Sequence, residues 1–158
     1  MKANFFQDFR SSLALLNKDI REAGWRIEIS PDKHSLSLTK FKMSSNGVPG
    51  YDQQGYLEDG EMVQYVFHAA SNIDENGILK RNDRTILKSL HEVVFNLRKE
   101  MVNNVLIPTV EFEIAFSPAK KQLFHFNGQI VPRHLASWAQ HQYWVSITNG
   151  QRIKYRFK

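Results

Sequence analysis

The chain has 158 residues, a net charge of +5, 42% hydrophobic and 23% charged residues, and no cysteine. That length supports one domain with a buried core, and the composition is that of a globular protein rather than a disordered one. The missing cysteines exclude disulfides and thiolate metal sites. The modest basic charge permits an acidic partner without requiring one. No run of about 18 apolar residues occurs, so no stretch of this sequence reads as membrane-spanning, and none shows the basic start, short apolar run and small-residue site of a secretory leader.

The first element is a helix over residues 4–24. Phe5, Phe9, Leu13, Leu16, Ile20 and Ala23 recur at steps of three and four, the period of one helix face. Phe6 and Leu15 widen the stripe, and Asp8, Arg10, Asn17, Lys18, Arg21 and Glu22 lie mostly off it. Gly24 stands where a helix takes a C-terminal left-handed residue. Such a helix is about 30 Å long and needs a surface to cover. The rest of the chain supplies strands. Trp25 to Ile29 alternates apolar and polar, and Ser30 to Lys33 is turn chemistry. Ser35 to Met43 alternates through Leu36, Leu38, Phe41 and Met43, with a slip near Lys40 that suggests a bulge.

A long polar loop follows over residues 44–60. Met62 to His68 reads as a strand, joined by the hairpin signal Asn76-Gly77 to Ile78–Arg81. Residues 85–97 carry two patterns. Ile86, Leu87, Leu90, Val93, Val94 and Leu97 fit a helical period, while Val93 to Phe95 is β-rich. The segment is split here into a short helical turn and a strand. Val110 to Phe116 alternates, Gln122 to Phe126 is a further strand, and Asn127-Gly128 is a turn. Pro132 to Gln140 reads as a short helix. Tyr143 to Thr148 and Arg152 to Phe157 read as a closing hairpin around Asn149-Gly150. The expected class is α+β: one long N-terminal amphipathic helix packed on antiparallel sheet. Residues 1–24 form the helix and 25–158 a β-rich globular part, within a single domain.

Candidate chemistry is sparse. None of His34, His68, His91, His125, His134 and His141 stands at the spacing that presents two imidazoles on one helix face. Asp52, Glu58, Asp59 and Glu61 cluster in the long loop without the spacing of a calcium-binding loop. No nucleophile elbow, phosphate-binding loop or dinucleotide fingerprint is present. The expectation is a protein without catalytic residues, metal or cofactor, and without a small-molecule substrate. Arg152, Lys154, Arg156 and Lys158 share one face of the last strand as a basic strip, to which Lys40 and Lys42 add positive surface. Ile153, Tyr155 and Phe157 point the other way, where they cannot interleave with the charges to stack bases. The strip reads as a charged edge strand, and nucleic acid is an unfavoured partner.

Five segments in order resemble minor pilins and type II secretion pseudopilins of the PilW/PulJ kind. The helix ends in Asp19-Ile20-Arg21-Glu22-Ala23-Gly24, similar to that family's DLREAG. Then come Leu36-Ser37-Leu38, Val63-Gln64-Tyr65, Leu79-Lys80-Arg81 and the apolar positions of residues 86–95, similar to its LTL, V-x-Y, L-x-R and following hydrophobic segment. The resemblance covers Asp19 to Leu97; the loop at 44–60 is longer than the pattern, and residues from Val102 onward match loosely. It implies a pilin-like fold and a non-enzymatic subunit that assembles with sibling pilins at the tip or base of a pilus or secretion pseudopilus. It also implies an inner-membrane anchor, through a helix half not in this sequence, and a periplasmic globular domain. Phe5, Phe6, Phe9, Leu13 and Leu16 are then candidates for the subunit interface. The alternative is a stand-alone α+β binding module with a basic surface, for which nucleic acid is the candidate partner.

Overall fold

A computed structural model describes residues 2–42, 45, 56–70, 76–102, 105–117, 122–133 and 154–155. Helix α1 (Lys2–Arg21) is followed by strands β1 (Ala23–Ile29), β2 (Ser35–Phe41), β3 (Tyr56–Leu57), β4 (Asp59–His68), β5 (Gly77–Arg81), β6 (Arg84–Val102), β7 (Val105–Phe116), β8 (Phe124–Ile130) and β9 (Lys154–Tyr155). Seven strands form one antiparallel sheet in the order β1-β2-β4-β5-β6-β7-β8, and β3 pairs with β9 in parallel. Neighbouring strands of the large sheet are nearly all neighbours in sequence, so it is a meander built from hairpins.

The expected pilin-like class, a long helix on which a sheet is packed, is corrected by these proportions. The sheet dominates the structure. At about 3.3 Å per residue β6 alone runs about 60 Å, twice the length of the 20-residue helix. The helix is a short cover on a large sheet.

The apolar stripe of α1 does face that sheet. Phe5, Leu16 and Ile20 are buried with Leu38, Val63, Leu79, Leu90, Val93, Phe95, Val110 and Ile114, and Phe9 and Leu13 pack against them. The buried Ser12 hydroxyl donates to the Ile86 carbonyl at 3.1 Å, tying the middle of α1 to β6. At the far end the turn between β1 and β2 folds over β6: the Phe95 N–H donates to the Lys33 carbonyl at 2.8 Å. Among the described residues no helix is long and apolar enough to cross a membrane.

Four local expectations change. Residues 85–97 contain no helical turn; they lie within the single strand β6. Its ladders explain the misleading period. Leu79 pairs with Leu87 but Lys80 with Thr85, Gly77 pairs with Leu90, and Leu90 and Glu92 face Phe116 and Ala115. Each irregularity inserts one extra residue into β6, and Ser89 sits at φ 64° within one of them. These bulges stretch the two-residue alternation, so core positions Leu87, Leu90 and Val93 fall three apart and imitate a helix.

Gly24 is strand, not a helix cap: α1 ends at Arg21 and Gly24 lies in β1 against Phe41. Asn127-Gly128 is not a turn either, because β8 runs straight through it. The glycine is there because the Phe112 ring leans over it, and a Cβ would lie 2.4 Å from that ring. Of the loop expected at 44–60, residues 56–57 form β3 and β4 begins at Asp59. The helix expected at 132–140, beyond Arg133, and the strand expected at 143–148 lie outside the described residues. In the expected closing hairpin, Lys154–Tyr155 pairs with β3.

Gly77 opens β5 for the same reason that Gly128 sits in β8. A Cβ there would lie 2.7 Å from the His68 carbonyl and 2.6 Å from the Phe67 ring. Gly77→Ala should therefore destabilise the domain by about 1–3 kcal/mol, the range for an overpacked site. Urea denaturation checks this, with the midpoint lowered and the slope unchanged.

Candidate functional site

The most unusual chemistry in the described residues lies where the last turn of α1 meets the sheet. Asp19 is on the core side of the helix, beside Leu16 and Ile20, and has no exposed surface. A carboxylate there is doubly unfavourable. Burial removes its water, and the helix C-terminus presents a negative dipole end.

Donors from three strands answer it. Arg81 of β5 grips both oxygens, Nε to Oδ2 at 2.7 Å and Nη2 to Oδ1 at 3.1 Å. Lys40 of β2 places Nζ 2.7 Å from Oδ1. The Tyr65 hydroxyl of β4 donates to Oδ2 at 2.5 Å. Tyr65 and Arg81 are directly opposed in the β4–β5 ladder, so their side chains share a face. Lys40 also reaches Glu22 Oε2 at 3.0 Å, and Arg81 lies 3.9 Å from Glu61. Two cations thus face the buried carboxylate and two outlying ones.

The titration of these groups follows. Burial alone would raise the Asp19 carboxyl, but hydrogen bonds from Arg81, Lys40 and Tyr65 outweigh it and hold the group below the usual carboxylate range. Burial would lower the Lys40 ammonium, and its bonds to Asp19 and Glu22 hold it above its ordinary value. Burial first, then the hydrogen bond to Asp19, pushes the Tyr65 phenol well up, so the hydroxyl stays protonated as a donor. The bond to Asp19 likewise raises Arg81. All four groups are locked in the state that makes the bonds. Both carboxylate oxygens of Asp19 are engaged twice, by Arg81 and Tyr65 at Oδ2 and by Arg81 and Lys40 at Oδ1, so the cluster acts as a clamp.

Sequence reasoning missed Lys40, which was read as positive surface. It is buried. The signal was the slip near Lys40: Leu36 and Leu38 face the core, and Lys40 takes the next core-facing place. The ladder to β4 shifts there too, between Thr39 and Phe41. Lys42, by contrast, is exposed and pairs loosely with Glu58 at 3.4 Å.

The interface candidates divide. Phe5 and Leu16 are in the core, Phe9 and Leu13 are partly buried against it, and Phe6 is 45% exposed. Arg152, Arg156 and Lys158 of the basic strip lie outside the described residues, and Lys154 belongs to β9. Asp52, His134 and His141 also lie outside them. Among the described residues no three His, Asp or Glu side chains converge as a metal site would require. His34 lies 3.6 Å from Glu92, and His125 lies 3.1 Å from Glu113, each at the surface. An open groove of about 320 Å³ runs between α1 and the β5–β6 turn, lined by Asp8, Leu15, Arg84 and Thr85 among others.

No family model, no curated protein and no solved structure matches this chain.

Removing the Asp19 charge leaves the buried Lys40 with Glu22 alone and Arg81 with only the more distant Glu61. Asp19→Asn should cost about 3–5 kcal/mol, the usual effect of breaking a buried pair from one side. Tyr65→Phe should cost about 1.5–3 kcal/mol, the value of one hydrogen bond to a charged group. Because the folded carboxyl titrates below its unfolded value of 3.8, its contribution is complete above that pH and is lost as pH falls through the lower folded value. Melting temperatures recorded from about pH 6 to about pH 2 should drop more steeply for the natural chain than for Asp19→Asn.

Proposed function

We propose that this chain is a non-enzymatic subunit of the minor pilin or pseudopilin kind, joining sibling subunits at the tip or base of a type IV pilus or a type II secretion pseudopilus. One observation carries the reading. Three of the segments that resemble the family, far apart in the chain, each supply one member of the clamp: Asp19 from DIREAG, Tyr65 from V-x-Y and Arg81 from L-x-R. A resemblance spread over short segments gains weight when those segments meet around one carboxylate. The reading rests on this convergence and not on the overall fold.

The clamp suits an assembly role. A buried ion cluster adds little net stability, because desolvation offsets the attraction, but it permits few alternative arrangements. It holds α1 at one angle and one rotation on the sheet. Arg10, Ala14, Lys18 and Arg21 are then presented outward, opposite the buried stripe, with Phe6 at its flank. Neighbouring subunits would meet this face. The reading also carries an inner-membrane anchor ahead of α1 and a periplasmic globular domain.

The test is co-purification with the pilin-type subunits encoded in the same genome, together with a gene deletion. The chain should associate with at least one sibling, and deletion should impair pilus assembly or type II secretion. Ala14→Trp should weaken the association about tenfold, or about 1.4 kcal/mol, without moving the melting temperature. Phe6→Ala should do the same while costing well under the ~3–5 kcal/mol of a core phenylalanine. If no sibling associates and the deletion leaves both processes intact, the assignment is wrong.

A further inference from the structure

Strand β8 ends the large sheet among the described residues. Strands in that position are normally guarded against pairing by lysine, other charges or proline. At the opposite end of the sheet β1 carries Arg26 and Glu28. Between Phe124 and Ile130 there is no Lys, Arg, Asp, Glu or Pro.

The strand also carries the outer end of an aromatic row. Phe124 stacks on Phe116 at 5.6 Å, and Phe126 stacks on Phe112 at 6.1 Å and meets Phe9 edge-on at 5.5 Å. Yet 40% of Phe124 and 37% of Phe126 stay exposed. The row thus runs from the core beneath α1 to the sheet edge and ends there partly exposed.

We propose that β8 pairs antiparallel with β8 of a second copy of this chain, about a two-fold axis at Asn127. The sequence FHFNGQI is complementary to itself in that register. Phe124 faces Ile130, Phe126 faces Gly128, and His125 faces Gln129. Each phenyl meets an apolar partner, Ile130 or the Phe112 ring that covers Gly128, the polar side chains meet on the other face, and no like charges are opposed. The Phe112 ring covers Gly128 within the same sheet. The incoming Phe126 of the second copy packs beside that ring and carries the aromatic row across the axis. Two seven-stranded sheets become one continuous sheet. The contact is at the small end of specific interfaces, so the dimer forms at micromolar concentrations rather than below. This pairing does not depend on the assembly role proposed above.

The absence of cysteine from the chain makes the test clean. Asn127→Cys introduces a single thiol on the axis. Opposed Cα atoms in such a pair are about 4.5–5.5 Å apart, inside the range of about 4.4–6.8 Å that a disulfide spans. Under oxidised glutathione this variant should form a disulfide-linked dimer at least about tenfold faster than Ser11→Cys, a thiol on the exposed side of α1. Sedimentation velocity of the unaltered chain should show concentration-dependent dimerisation. Phe124→Lys, with an unchanged circular dichroism spectrum, should weaken it about tenfold or more. The proposal is overturned if Asn127→Cys cross-links no faster than Ser11→Cys, or if the unaltered chain stays monomeric at several hundred micromolar.

Discussion

Asp19 is fully buried, and that constraint orders the molecule. An ionised carboxylate at the core side of a helix C-terminus would cost several kcal/mol if left unpaired. Helix α1 can therefore dock only where Lys40, Tyr65 and Arg81 arrive together. Those residues belong to β2, β4 and β5, so the clamp reports on the pairing of three strands as well as on the position of the helix. A slip of one residue in the β4–β5 ladder would turn either Tyr65 or Arg81 to the wrong face.

The other end of α1 is held by different physics. Phe5 and Phe9 pack on Phe116 at 5.0 and 4.9 Å, contacts that tolerate small shifts. The polar clamp fixes register and angle, and the aromatic end supplies buried area. Lys18 and Arg21 in the last turn offset the negative dipole end that disfavours Asp19. Each of the two outward surfaces proposed for binding, the outer face of α1 and the edge of β8, takes its position from one of these anchors.

Much of the helix and the hairpins was legible in the sequence because their signals are local. The buried stripe of α1 is the expected one from Phe5 to Ile20, and the alternation in Val110 to Phe116 survives in β7. The long strand β6 was not legible because three bulges reset its alternation, and only the pairing partners in β5 and β7 reveal them. Gly128 and Gly77 read as turn residues, whereas each makes room for a phenylalanine ring from a neighbouring strand. That demand is tertiary and leaves no local trace. The clamp was half legible. Asp19, Tyr65 and Arg81 were singled out by resemblance without a physical role, and Lys40 was misplaced at the surface because lysine is rarely buried.

The size of the sheet was the largest departure from expectation. Helical periodicity near residue 90 took length from what is one continuous strand, and so reduced the sheet relative to the helix. A clamp at the helix end does not require a long helix; it requires three adjacent strands in register.

The central claim is that Asp19 docks α1 on the sheet. Native-state amide hydrogen exchange on Asp19→Asn, under conditions where the variant remains folded, tests it most directly. The account predicts that amides of α1 lose protection selectively, while those in the paired body of β6 and β7 keep theirs. Protection of α1 unchanged from the natural chain, or lost uniformly with the sheet, would contradict it.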